Sequence, residues 1–126
     1  MLDKKLVTKL LKIYKTAWEK RDPNLILTIF TPDGEYHEKA FDKPYKNHKG
    51  IKEYWQNKVV GEQTNIKLKL NKIFIDGNTA IAEWYATFKD HARKLNIQIK
   101  EIAVMEFKGN KIKKYREYWH SKKTDF

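Results

Sequence analysis

Three glutamates and one tyrosine are the groups of this chain best suited to chemistry. Glu38 closes the stretch Glu35-Tyr36-His37-Glu38, Glu101 interrupts an otherwise apolar strand face, and Glu117 precedes a Tyr-Trp pair. Tyr14 stands on the apolar side of the first helical segment. Acids and phenols aimed into one apolar space suit a ligand or proton chemistry. A carboxylate takes a proton from an acidic C–H or O–H, and a phenol or neutral carboxyl donates to a developing oxyanion. Glu38 reads as the base, Tyr14 as the electrophilic donor and Glu101 as a second acid, with Glu117 beside them as a ligand-binding acid or its substitute.

Each reading has a plain structural rival. Tyr36 and Ala40 share the face of Glu38 under a two-residue period, but Glu38 also fits a surface glutamate on an edge strand. Glu101 shares its register with Leu95, Ile97, Ile99, Ala103, Met105 and Phe107. A lone carboxylate among them is costly unless paired or protonated, and a bulge near Lys100 would turn it outward. Glu117 lies on one face with Tyr115 and Trp119, where an ion pair with a lysine is the rival. Tyr14 fits equally a core tyrosine whose hydroxyl meets a nearby acid. Trp18, Tyr36, Trp55, Trp84, Met105 and Trp119 read as ligand-binding wall, a role that sequence cannot separate from core. His37, His48, His91 and His120 have no ligand-like spacing, so no metal site is expected. No Gly-rich phosphate loop or Ser-His-Asp order is present, and no cofactor is expected.

The elements that must position these groups follow from hydrophobic period. Val7, Leu10, Leu11, Tyr14 and Trp18 make an amphipathic helix over residues 4–20. Asp22-Pro23 is an N-cap followed by proline, which opens a short second helix to about Phe30. Pro32-Asp33-Gly34 makes a turn, a strand covers 35–41, and residues 42–49 form a polar loop. A third helix begins after Gly50, with Ile51, Tyr54, Trp55 and Val59 on one face. From Asn65 the period becomes two. Ile66, Leu68 and Leu70 alternate with polar residues, then the apolar phase slips to Ile73 and Ile75, which predicts a β-bulge near Asn71–Lys72. Asp76-Gly77-Asn78 and Gly109-Asn110 are hairpin turns between strands at 79–88, 95–107 and 111–120. This order predicts an α+β fold: a strongly bent, mostly antiparallel sheet wrapped on three N-terminal helices as a cone-shaped barrel with an internal pocket. The even face of 79–88 holds Ala80, Ala82 and Ala86, and the volume they leave is expected to form that pocket.

Size and charge bound the rest. At 126 residues with 40% hydrophobic residues the chain is read as one domain, 1–126, with a real core. Without cysteine it has no disulfide or thiolate chemistry. The N-terminus has no apolar run like a signal peptide's and no stretch approaches a membrane span, so a soluble, cytoplasmic protein is expected. The net charge of +11 is almost all lysine, spread along the length; only Arg21, Arg93 and Arg116 are arginines. Bidentate phosphate grips and base readout prefer arginine, which argues against a nucleic-acid partner.

The layout resembles the nuclear transport factor 2-like superfamily, the group of ketosteroid isomerases and SnoaL-like polyketide cyclases, over about residues 5–120. The pieces that carry the resemblance are Tyr14 to Asp22, Ile29-Phe30 to Glu38, Gly50-Ile51-Lys52-Glu53-Tyr54-Trp55, Ile102-Ala103-Val104-Met105-Glu106-Phe107, and Ile112 to Trp119. By that resemblance Tyr14 falls at the oxyanion-hole tyrosine of ketosteroid isomerase, Glu38 at its general base and Trp55 at an aromatic of its cavity. Its protonated aspartate falls on Ala103, a departure that speaks against steroid isomerisation. The resemblance implies a small apolar organic ligand in an internal pocket, with cofactor-free isomerase, cyclase or hydratase chemistry. The alternative is a non-catalytic dimeric binding or association module. It also implies a homodimer through the outer sheet face, where Ile81, Tyr85, Ile102, Val104 and Tyr118 point outward.

Overall fold

The computed structural model describes residues 2–126. Helix α1 (Lys4–Glu19) starts at Asp3, whose carboxylate accepts the Leu6 amide at 2.8 Å. It buries Val7, Leu10, Leu11, Tyr14, Ala17 and Trp18, the face that the period marks out. Asp22 caps α2 (Pro23–Leu27) by accepting the amides of Asn24 and Leu25, both at 3.0 Å. This helix is shorter than expected, because the Ile112 amide donates to Ile29 O at 2.8 Å and draws the chain into the sheet.

Strand β1 (Phe30–His37) therefore begins before the Pro32-Asp33-Gly34 turn and carries it as an irregularity between Phe30 and Glu35. It ends at His37, so Glu38 sits just past the strand, and Ala40 and Phe41 are exposed. The loop that follows returns as a two-residue strand β2 (Tyr45–Lys46), paired antiparallel to β1, which the polar composition of 42–49 concealed. Helix α3 (Asn47–Tyr54) starts ahead of Gly50 and continues as a π-helical segment, Trp55–Val60.

The long strands are β3 (Gln63–Asp76), β4 (Thr79–Asp90), β5 (Leu95–Lys108) and β6 (Lys111–Asp125). The sheet order is β2-β1-β6-β5-β4-β3, antiparallel throughout except for the parallel β1–β6 pair. The register of β3 on β4 shifts between Leu70 and Lys72, where the apolar phase slips in the sequence. Gly77 and Gly109 adopt φ +60° and +61° in the two hairpins, a conformation that glycine takes without penalty. The edge strands β2 and β3 do not meet, so the bent sheet is open rather than closed into a barrel. Among the described residues no helix is long and apolar enough to cross a membrane.

The helices pack on the inner face of the sheet, and the core runs through Ile26, Ile29, Phe30, Ile51, Met105 and Ile112, all nearly inaccessible. Ala80, Ala82 and Ala86 are fully buried, and none of them lines the main cavity. The volume they leave is taken up by core packing; the rings of Tyr14 and Trp84 lie only 4.9 Å apart there. The expected origin of the pocket is thus replaced by a different one.

Candidate active site

The cavity lies over the first half of β5 and the second half of β6, under α1 and the π-helical segment. Its volume is about 490 Å³, within the range of small-ligand sites. Strand alternation supplies one wall: Ile97, Ile99 and Glu101 from β5, and Glu117, Trp119 and Ser121 from β6. Helix α1 contributes Tyr14 and Trp18, and β1 contributes Tyr36. The π-helical segment adds Trp55, Lys58 and Val59. A π-turn places one extra residue per turn, a distortion found often at functional sites.

The floor is a chain of hydrogen bonds among five buried groups. Tyr36 Oη donates to Glu117 Oε1 at 2.5 Å, and the hydroxyls of Tyr36 and Tyr14 are 2.9 Å apart. Tyr115 Oη lies 3.2 Å from Tyr14 Oη and 3.2 Å from Glu101 Oε2. The order is Glu117–Tyr36–Tyr14–Tyr115–Glu101. Three phenols carry three protons, and the chain has four bonds, so a carboxyl must supply the fourth when all are made. Burial points the same way. It pushes the Glu101 carboxyl up to about 8, although the hydrogen bond to Tyr115 pulls it down. Glu117 is raised well above the ordinary carboxyl range, by burial first and then by the charge of Glu101, against the bond from Tyr36. Burial likewise raises Tyr14, Tyr36 and Tyr115, so the phenols stay neutral donors.

Glu38 lines the same cavity nearer its mouth and accepts the Tyr54 hydroxyl at 2.8 Å. Tyr54 is held by ring stacking on Tyr45 at 4.4 Å, which gives the unforeseen strand β2 a part in the site. Trp18 Nε1 donates to Gln63 Oε1 at 2.8 Å. Trp55 is 1% exposed, lines the cavity, and its indole N–H has no partner among the described residues. An unpaired buried donor costs about 1–3 kcal/mol, which a ligand oxygen would recover.

The structure thus brings Glu38, Tyr14, Glu101, Trp18, Tyr36, Trp55, Glu117 and Trp119 to one cavity. Two residues read as pocket wall lie elsewhere. Met105 is fully buried away from the cavity, next to Ala80 and Tyr115 across the strands, and Trp84 is packed against Tyr14 beneath the floor. Both share the inward register, but the cavity opens only along the first half of β5, from Ile97 to Glu101. Sequence reasoning passed over Tyr115, Tyr54 and Gln63. Tyr115 stands two residues from Glu117 on the same strand face, a signal that alternation alone offers. Among the described residues no group of three or more metal-ligating side chains is assembled.

A bent open sheet with three N-terminal helices and a cavity between the layers defines the nuclear transport factor 2-like class. The family model of the SnoaL-like domain matches residues 11–115, and the chain belongs to that family. In overall shape it is similar to SalBIII, an epoxide hydrolase/cyclase-like enzyme of pyran ring formation in the polyether salinomycin, at TM-score 0.79, 16% identity and 95% coverage of each chain. An epoxide hydrolase of M. tuberculosis described as LEH-like superposes at 0.75, with 16% identity over 92% of this chain and 84% of that one. A hypothetical protein from Catenulispora acidiphila with a ketosteroid isomerase-like fold, in complex with trimethylamine, superposes at 0.77, with 16% identity over 86% and 83%. At such identities the likeness is one of fold. No curated protein matches the chain in sequence.

Proposed function

We propose that the chain binds a small, largely apolar organic molecule in this cavity and carries out cofactor-free acid–base chemistry on it, by opening or closing a C–O bond. The observation that carries this reading is the pair of buried acids, Glu101 and Glu117, on the cavity floor and joined through three phenols. A neutral carboxyl is the donor needed to protonate a departing ether or epoxide oxygen. Glu101 is the acid in this scheme. Glu38, at the mouth, takes the proton from the attacking water or from a hydroxyl of the ligand itself. Water as the nucleophile gives hydration, and an internal hydroxyl gives a ring. The Trp55 N–H, in the cavity wall, would donate to a ligand oxygen. The likeness in fold to an epoxide hydrolase and to an epoxide hydrolase/cyclase-like enzyme supports this choice of reaction.

Two measurements test it. Infrared spectra of protein labelled with ¹³C at the glutamate carboxyls should show a neutral carboxyl band at about pH 7, with a component that is missing in Glu101→Gln and that disappears from the native spectrum as pH rises through about 8. Opening of a model aryl epoxide in ¹⁸O-water, read by mass spectrometry, should exceed the buffer rate and fall at least about 100-fold in Glu101→Gln. A spectrum with only ionised carboxylates at neutral pH would remove the proposed acid.

A further inference from the structure

The walls of the cavity segregate charge by depth. Its carboxyls lie inside: Glu101 and Glu117 are buried and Glu38 is half-buried. The lining residues that are exposed are Lys39, Arg93, Ser121 and Lys123, so every charged group standing in solvent at the opening is a cation. These come from separate parts of the chain. Lys39 follows β1, Arg93 lies in the turn between β4 and β5, and Lys123 is near the end of β6. Lys58, half-buried on the π-helical segment, joins them.

Two of these cations are already matched. Arg93 binds Asp90 at 2.8 Å, and Lys58 binds Glu62 at 3.2 Å. Lys39 and Lys123 have no acid partner among the described residues. The lip therefore carries two uncompensated ammonium groups above a floor of phenols and acids. A ligand neutral from end to end would leave this lip unused, and a cationic one would be repelled on entry. An anion buried at the floor would face acids at close range, whereas one held in solvent at the lip meets the exposed Lys39 and Lys123, with half-buried Glu38 below them.

We propose that the ligand of this cavity is an amphiphilic anion, with its apolar body inside against Tyr14, Trp18 and Trp55 and its carboxylate or sulfonate head held at the lip by Lys39 and Lys123. The proposal rests on the ligand-binding reading of the cavity and adds the class of molecule. Lysine suits the task, because a flexible point charge tolerates heads of different shape. The body, not the head, then meets Glu101, which stays neutral beneath it. Attraction at a solvated lip is modest in strength, weakens with salt over a screening length of about 8–10 Å, and speeds capture of the correct end first.

The test uses two dyes with one skeleton: 8-anilinonaphthalene-1-sulfonate and N-phenyl-1-naphthylamine, which lacks the sulfonate. Both should fluoresce in the cavity and displace one another. Lys39→Glu with Lys123→Glu should weaken the sulfonate about tenfold and leave the neutral dye within about twofold. The neutral dye also reports that the variant's cavity is intact. A control pair with the same change in net charge, Lys4→Glu with Lys9→Glu on the exposed side of α1, should alter neither. If the control pair weakens the sulfonate as much as the lip pair, or if the lip pair weakens neither dye, the proposal is overturned while the cavity reading stands. Failure of the neutral dye to bind the native chain would overturn both.

Discussion

Burial raises the carboxyls of Glu101 and Glu117, and this has a consequence for stability. The carboxyl of Glu101 moves from an ordinary value of 4.5 to about 8 on folding. A group whose folded value is raised contributes its full stability below the unfolded value and loses it as pH rises through the folded one. Glu117 is raised as well and acts in the same direction. The melting temperature should therefore fall between about pH 5 and pH 9, and Glu101→Gln, neutral and of the same shape, should flatten that fall. A melting temperature constant across this window would refute the protonated state. At this scale the sequence was informative about faces and silent about partners. Alternation placed Glu101 and Glu117 on the inner side, but their junction depends on register. Glu117 lies directly opposite Ala103. Nothing in the local pattern of either strand records that pairing.

At the scale of elements, a helix and a strand are joined by a backbone clamp. Glu19, the last residue of α1, accepts the Leu68 amide at 2.8 Å, while Lys15 donates to Leu68 O at 2.6 Å and to Glu19 at 3.0 Å. Leu68 stands between the two register shifts of β3, where the edge strand bends over the helix. Glu19→Ala leaves that amide without its acceptor and should cost about 1–2 kcal/mol in urea unfolding, with an unchanged denaturant slope. A loss below about 0.3 kcal/mol would show that solvent replaces the clamp. The bulge itself was legible, because a one-residue slip of the apolar phase from Leu70 to Ile73 has few other causes. The helix caps at Asp3 and Asp22 and both hairpins follow from local chemistry in the same way. Strand β2 and the parallel β1–β6 pair were not legible. The first is two residues long and polar, and the second joins segments whose separation in sequence carries no period.

For the whole molecule, the outer face of the sheet is the open question that the fold poses. Ile81, Tyr85, Ile102 and Val104 are half-buried there, and Tyr118 is 46% exposed, interleaved with Glu83 and Lys100. Lysine stems cover part of such a face, but a patch of this breadth is one that soluble monomers seldom leave bare. We propose a two-fold homodimer through this face, since closed two-fold pairs are the commonest assembly. Light scattering behind a sizing column at micromolar concentration should give about twice 15.2 kDa, and Tyr85→Lys or Val104→Lys should halve it. A monomer mass for the native chain would end that proposal and leave the cavity, on the opposite face, untouched.

The position of β6 has a temporal meaning. This strand, made of fifteen residues from Lys111 to Asp125, lies between β1 and β5 and brings Tyr115 and Glu117 to phenols made far earlier, Tyr14 and Tyr36. Synthesis runs from the N-terminus, so a growing chain holds β1 and β5 with unpaired edges until β6 has left the ribosome. Unpaired edges recruit other strands, and the nascent chain is most prone to aggregate at that stage. Insertion of β6 closes both edges and brings Glu117 and Tyr115 to the earlier phenols, so the sheet and the hydrogen-bonded floor of the cavity are completed in the same step.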